Sequence, residues 1–194
     1  MLNDLSSLAA YLASRRSARP RDLVAPGPDA AQLHSIFEIA ARSPDHGKLA
    51  PWRFIHIARD KRDSFAAMLE AAYRVGRDEP GRLEIEAVDR FAHQAPELVV
   101  LLSSPVEQAK IPLWEQELSC GAVAMNMLHA AAALGFGGGW VTGWAAYSDA
   151  VRNGLGARDG EKIAGFLFFG TPDSELEERV RPSLDHVVSE WAPG

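Results

Sequence analysis

The sequence has one cysteine, Cys120, and no uninterrupted apolar run long enough to cross a bilayer. A single thiol excludes an intrachain disulfide and any all-cysteine metal site. The most apolar stretch, Leu118 to Leu134, is broken by Ser119, Asn126 and His129 and preceded by Glu115 and Glu117. It falls short of the roughly 20 predominantly apolar residues that a membrane span needs. Asp4 comes early and the first arginines late, the reverse of a secretory signal. These absences predict a cytoplasmic protein that does not engage a membrane. Positive charge is also scarce: 20 Lys and Arg against 26 Asp and Glu leave a net charge of −6, which argues against general nucleic-acid binding.

The familiar chemical motifs are missing too. There is no G-x-x-x-x-G-K-[ST] loop, no G-x-S-x-G elbow and no H-E-x-x-H helix. The histidines are His34, His46, His56, His93, His129 and His186, and no two stand four residues apart, so no metal site is expected. His56 and His129 are expected to pack within their elements. Cys120, in an apolar helix, reads as a small core residue rather than a nucleophile. The stretch "GFGGGW" does not fit the dinucleotide fingerprint, because a helix precedes it and Trp140 stands where the last glycine should be. Its glycines either form a tight helix-to-strand turn or let the backbone approach something flat.

What is present is enough apolar sequence for one core, with no composition shift, so 1–194 is expected to be a single domain. Asn3 or Asp4 is placed to cap a first helix ending near Arg15, and Asp29 a second carrying Leu33, Ile36, Phe37 and Ala40. Pro44 stops that helix, and "WRFIHIA" follows as a strand. Asp60 is expected to cap a third helix, with a more polar fourth around Ile85 to Phe91 and a buried strand at "ELVVLLS". Residues 114 to 134 make a helix apolar or small nearly all round, which suits a subunit interface beside the core. "GGWVTGW" reads as a strand or extended loop, Ser148 caps a short helix, and "KIAGFLFFGTP" is a strand. The tail lacks a compact apolar pattern yet ends in Val187, Val188 and Trp191, so it is expected to lie on something, such as a second subunit. Helices and strands alternate irregularly, as in an α+β sandwich around a small mixed sheet.

Four features remain. "RRSARPR" gathers Arg15, Arg16, Ser17, Arg19 and Arg21, a set suited to a phosphate. Arg42 ends a helix, with His46 in the loop beyond it. The glycines lead to Trp140 and Thr142, and "RVRP" in the tail offers Arg179 and Arg181. A phosphorylated planar cofactor would use all four.

Four segments, "SRRSAR", "ARSPDHGKLAPWRFIHI", "WEQELSCGAVAMNML" continuing to "LGFGGGWVTG", and "GFLFFGTP", resemble in content and order the nitroreductase family of FMN-dependent oxidoreductases, particularly its small bacterial NAD(P)H nitroreductase group. The resemblance implies a three-layer α+β sandwich with a mainly antiparallel sheet. It also implies a homodimer that exchanges its C-terminal tails and builds two FMN sites at the interface. By this resemblance Arg15, Arg16 and Ser17 hold the phosphate and ribityl chain, and Arg181 joins them. Arg19 lies near the flavin's N1 and C2 oxygen, where a cation favours the negative charge of the reduced ring. Arg42 and His46 reach the cofactor from their loop. Trp140, Val141 and Thr142 pass along the ring, with a backbone N–H near Thr142 or Gly143 facing N5. Residues 130 to 135 match a stretch linked to the nicotinamide nucleotide. Val141 stands where close relatives carry an arginine. No catalytic side chain is assigned. The implied activity is ping-pong transfer of a hydride from NADH or NADPH to a nitroaromatic, quinone or related acceptor. The alternatives are another flavin chemistry on the same fold, or a dimeric flavin-binding module with a sensing or structural role and little turnover.

Overall fold

The computed structural model describes residues 1–193, which divide into two compact units: Met1–Arg16 with the tail from Glu175, and Ser17–Ser174. In the larger unit, helix α2 (Ala30–Ala40) begins with a full capping box. The Asp29 carboxylate accepts from the Gln32 N–H and the Gln32 side chain accepts from the Asp29 N–H. The chain then enters strand β2 (Trp52–His56), helices α3 (Arg62–Arg74) and α4 (Arg82–His93), and strand β3 (Glu97–Ser103). Helix α5 (Leu113–Ala133) has 21 residues and is about 30 Å long. Strand β4 (Gly137–Val141), the short helix α6 (Asp149–Gly154) and strand β5 (Lys162–Pro172) follow, and Leu23–Val24 forms a small strand, β1. Ser148 caps α6 as the sequence predicts. The third helix departs from expectation: Asp60 lies inside a 3-10 turn, Arg59–Lys61, and Lys61 precedes α3 without a side-chain cap.

All sheet pairings among the described residues are antiparallel. The order is β1-β5-β3-β2, and β4 also pairs with β5. β3 and β5 are apolar on both faces because both faces are covered. Val99, Leu101, Leu167 and Phe169 join Leu33 and Ile36 of α2 and Val123 and Met127 of α5 in one buried cluster. On the opposite face Phe91 of α4 meets Phe166 and Phe168 edge-on at 5.1 and 5.5 Å, with Phe65 of α3 at 6.5 Å from Phe166. Strand periodicity of two sends alternate residues to the two helical layers, which yields the three-layer sandwich. Gly135, at φ 86°, turns the chain out of α5. No helix among the described residues is long and apolar enough to cross a membrane.

In the smaller unit α1 (Leu8–Ser14) starts later than the sequence suggests, with Ser7 as its cap. Asn3 and Asp4 have other partners. The Asn3 amide forms two hydrogen bonds with the Arg16 backbone, at 2.7 and 3.1 Å, and the Asp4 carboxylate accepts from the Ser6 N–H. The tail carries one short 3-10 turn, Leu184–His186, and leaves Val180, Leu184, Val187, Val188 and Trp191 exposed.

Candidate functional site

Strand β4 has almost no side chains until Trp140, and its glycines are needed for close packing. A Cβ at Gly138 would lie 2.9 Å from Leu128, and one at Gly139 would lie 2.6 Å from the Ala18 carbonyl oxygen. The segment Ser17–Pro20 can therefore run against this strand, with the Ala18 N–H donating to the Gly138 carbonyl at 3.0 Å. The glycine stretch thus serves both the turn and a close approach, and what approaches is protein on both sides. It brings the Ser17–Arg19 segment to β4. The Trp140 indole donates to the Ala164 carbonyl at 3.0 Å and lies over Gly165, where a Cβ would come within 2.0 Å of the ring nitrogen. Val141 and Thr142 are half-buried. Gly143 follows at φ 75°, exposed, with no atom within 4 Å of where its Cβ would be.

The loop after α2 has an internal organiser that sequence reasoning missed. The Asp45 carboxylate accepts the N–H groups of Leu49 and Ala50, while Gly47, Lys48 and Ala50 adopt positive φ. An Asp two residues before a Gly is the readable signal for such a turn. Ser43 is buried; its hydroxyl donates to the Ala40 carbonyl and accepts from the Asn126 amide on α5 at 2.7 Å. This anchoring leaves Arg42 exposed at the helix end, with no ion pair among the described residues. His46 is also exposed, its Nδ1 lying 2.8 Å from Glu115 Oε2 at the start of α5.

Within the smaller unit the tail reaches back to the arginines. Arg16 Nε donates to the Glu177 carbonyl at 2.7 Å, and Arg181 donates to the Arg15 carbonyl at 3.2 Å and to Glu178 at 3.1 Å. The tail is thus tied to the backbone of Arg15 and to the side chain of Arg16. The backbone N–H of Arg179 donates to Glu178.

Other expectations are bounded by burial. Cys120 is inaccessible and burial pushes its thiol up to about 12, so it is no nucleophile. His56 is a surface residue paired with Glu97 at 2.7 Å rather than a packing residue. Ala130 and Ala131 are fully buried, so a nucleotide could touch only the later part of the 130–135 stretch. Three clefts of about 470, 530 and 330 Å³ are lined by none of Arg19, Arg42, His46, Trp140, Val141 or Thr142; Arg19, Arg42 and His46 are exposed, and Trp140, Val141 and Thr142 half-buried. Among the described residues no cluster of His, Cys, Asp and Glu could hold a metal.

Residues 12–171 match the Nitroreductase family. The chain is 39% identical over 170 residues, 87% of its length and 90% of the relative's, to "Putative NAD(P)H nitroreductase YdjA" of Escherichia coli (strain K12). It is 34% identical over 180 residues to "Putative NAD(P)H nitroreductase" of Haemophilus influenzae, covering 91% of this chain and 96% of that one. Among solved structures it resembles the nitroreductase-like family protein from Bacillus cereus, with a TM-score of 0.82 over 97% of this chain and 98% of that chain at 19% identity. It also resembles the FMN and NADPH-dependent nitroreductase NfnB of a sphigopyxis strain, with a TM-score of 0.75 over 96% and 99% of the two chains at 22% identity. The fold and the sequence agree, and the chain belongs to the nitroreductase family.

Proposed function

We propose that the protein is an FMN-dependent oxidoreductase that takes a hydride from NADH or NADPH and passes it to a nitroaromatic, quinone or related acceptor. The observation that carries this reading, beside family membership, is the uncovered exit of β4. There Trp140–Gly143 ends in backbone with open space beside Gly143, and the Ser17–Arg19 segment is hydrogen-bonded to the same strand. The residues fit FMN chemically. Arg15, Arg16 and Ser17, with Arg181, would hold its phosphate, whose near-double charge suits guanidinium groups. Arg19, Arg42 and His46 would contact it as further donors, and Trp140, Val141 and Thr142 would lie along its ring. FMN, when bound, supplies the hydride chemistry. The chain supplies binding, orientation and a cation at Arg19, and all of 1–194 serves one cofactor-binding domain.

The functional form is a homodimer in the cytoplasm. Its support is the outward face of α5, where Trp114 and Leu118 are exposed beside Gly121, and the exposed apolar tail residues, which a second copy would cover.

The test is the absorption spectrum of the purified protein, repeated anaerobically after NADH and then NADPH. Rapid bleaching of a flavin spectrum supports the reading and names the donor. Bound flavin that neither donor bleaches points instead to a sensing or structural module. A colourless protein that takes up no FMN refutes the cofactor assignment. Arg15→Ala is expected to weaken FMN binding about 10–100-fold, by loss of a charge-assisted contact, while circular dichroism stays unchanged. Full flavin occupancy in the variant would overturn the phosphate assignment.

A further inference from the structure

The segment between α3 and α4 carries a cation in a setting unlike its neighbours. Arg74 pairs with Glu70 at 2.7 Å, and Arg82 and Arg90 pair with Glu86 at 3.1 and 3.9 Å. Arg77 has no carboxylate within ion-pair distance among the described residues. Its guanidinium instead lies 4.0 Å from the centre of the Tyr73 ring and 5.7 Å from that of Trp144, while Nη1 donates to the Tyr73 carbonyl at 2.7 Å. The two rings meet edge-on at 4.8 Å. Tyr73 is fixed in turn: its hydroxyl donates to Glu84 Oε1 at 2.7 Å, and the other oxygen of Glu84 accepts the Gly81 N–H at 2.9 Å. Glu84 thus orients Tyr73.

The location gives this cluster its meaning. Trp144 follows Gly143 directly and opens the 3-10 turn Trp144–Tyr147, in which Tyr147 is exposed. The more distant of the two rings beside Arg77, Trp144 at 5.7 Å, is therefore the first side chain after the open backbone at the exit of β4. Asp78 and Glu79 follow Arg77 in the chain and Glu84 feels its charge, so what Arg77 offers a negatively charged molecule at that exit is directed N–H donation rather than a net local charge. Stacking on aromatic rings restrains a guanidinium while leaving its outer N–H groups free to donate.

We propose that Arg77, seated on Tyr73 and Trp144, selects acceptors that carry a carboxylate on an aromatic ring over their neutral counterparts. This rests on the proposed function, because it concerns the acceptor at that same site. Arg77 is a specificity residue. It binds the substituent, and the Tyr73–Glu84 bond positions it.

The probes are 4-nitrobenzoate and nitrobenzene, titrated into the oxidised FMN-loaded protein and followed by the flavin absorbance change, with kcat/KM measured for each. Arg77→Gln is expected to weaken 4-nitrobenzoate binding about tenfold, the loss of one charge-assisted contact, and to leave nitrobenzene within about twofold. Arg77→Lys, which keeps the charge without the fork, is expected to fall between. An unchanged ratio, or equal losses for both probes, overturns the proposal. So does a loss confined to the reaction with NADH or NADPH, which would assign the cation to the donor's phosphates. A protein that binds no FMN, or is bleached by neither nucleotide, fails the proposed function and this inference with it. A protein that bleaches but does not discriminate fails only the inference.

Discussion

The centre of the sheet and its β4 side are built on opposite rules. In β3 and β5 every position from Leu98 to Leu102 and from Phe166 to Phe169 is fully buried, with helices on both faces. That region is complete within one chain. On the β4 side the strand is nearly bare of side chains, Trp140 to Thr142 are half-buried, and one face of α5 shows Trp114 and Leu118 to solvent. Apolar surface of this kind marks a place where something else binds. Changes in the complete region should therefore read out as stability, and changes in the incomplete one as cofactor binding or association.

The largest stability effect is expected at the Arg53–Glu161 pair, which ties β2 to the loop before β5. Glu161 is 2% exposed and accepts from Arg53 at 3.0 and 2.6 Å and from the Arg158 N–H at 2.7 Å. The Arg53 guanidinium holds the Glu161 carboxyl down from 4.5 to about 2. A depressed acid stabilises the fold above its ordinary value, and that stability is lost as pH falls from 4.5 towards 2. The shift corresponds to about 3 kcal/mol. Glu161→Gln should lose about that much at neutral pH in urea denaturation. Its stability should also fall less steeply than the wild type's between about pH 5 and pH 2. Parallel curves across that range would mean that other carboxylates carry the acid sensitivity.

The boundary between the two regions is Gly165, under the Trp140 ring. Gly165→Ala places a methyl group 2.0 Å from the indole nitrogen, so the ring must leave and lose its bond to the Ala164 carbonyl. Roughly 1–3 kcal/mol of stability should go, with a shift in tryptophan fluorescence and, on the proposed function, weaker FMN binding. If stability falls and FMN binding does not, Trp140 belongs to the core alone and the boundary lies further along the strand.

What was legible in the sequence follows the same division. The apolar strands announced themselves because burial on both faces leaves no polar alternation, and Asp29 with Gln32 gave a local capping signal. The caps proposed at Asn3, Asp4 and Asp60 failed because these residues sit where other geometry wins: Asn3 clips the Arg16 backbone, and a 3-10 turn occupies Asp60. Ser43 with Asn126 and Arg53 with Glu161 lie 83 and 108 residues apart, and no local pattern links them. Buried Arg62 reads as an ordinary surface residue, yet it donates to the carbonyls of Ile57, Ala92 and Pro96 and so closes the chain after α4. The candidate site was legible as residue types, through family resemblance. The backbone hydrogen bond that brings the Ser17–Arg19 segment to β4 was not, because main-chain pairing is indifferent to side-chain identity.

The smallest effect on the chain itself, and the sharpest test of the incomplete side, is Gly121→Leu on α5. A Cβ there meets nothing within 4 Å, so the side chain leaves the helix into open space, and leucine is about 1 kcal/mol more favourable than glycine within a helix. A chain that folds as a monomer would gain slightly. If α5 packs against a second copy, the bulky side chain falls where close approach needs a small residue, and association should be lost. Sedimentation or light scattering decides it. A variant that is folded but monomeric places the interface on this face, and its unfolding should then depend less on protein concentration than the wild type's does. A variant that remains dimeric moves the interface elsewhere and leaves Trp114 and Leu118 needing another partner.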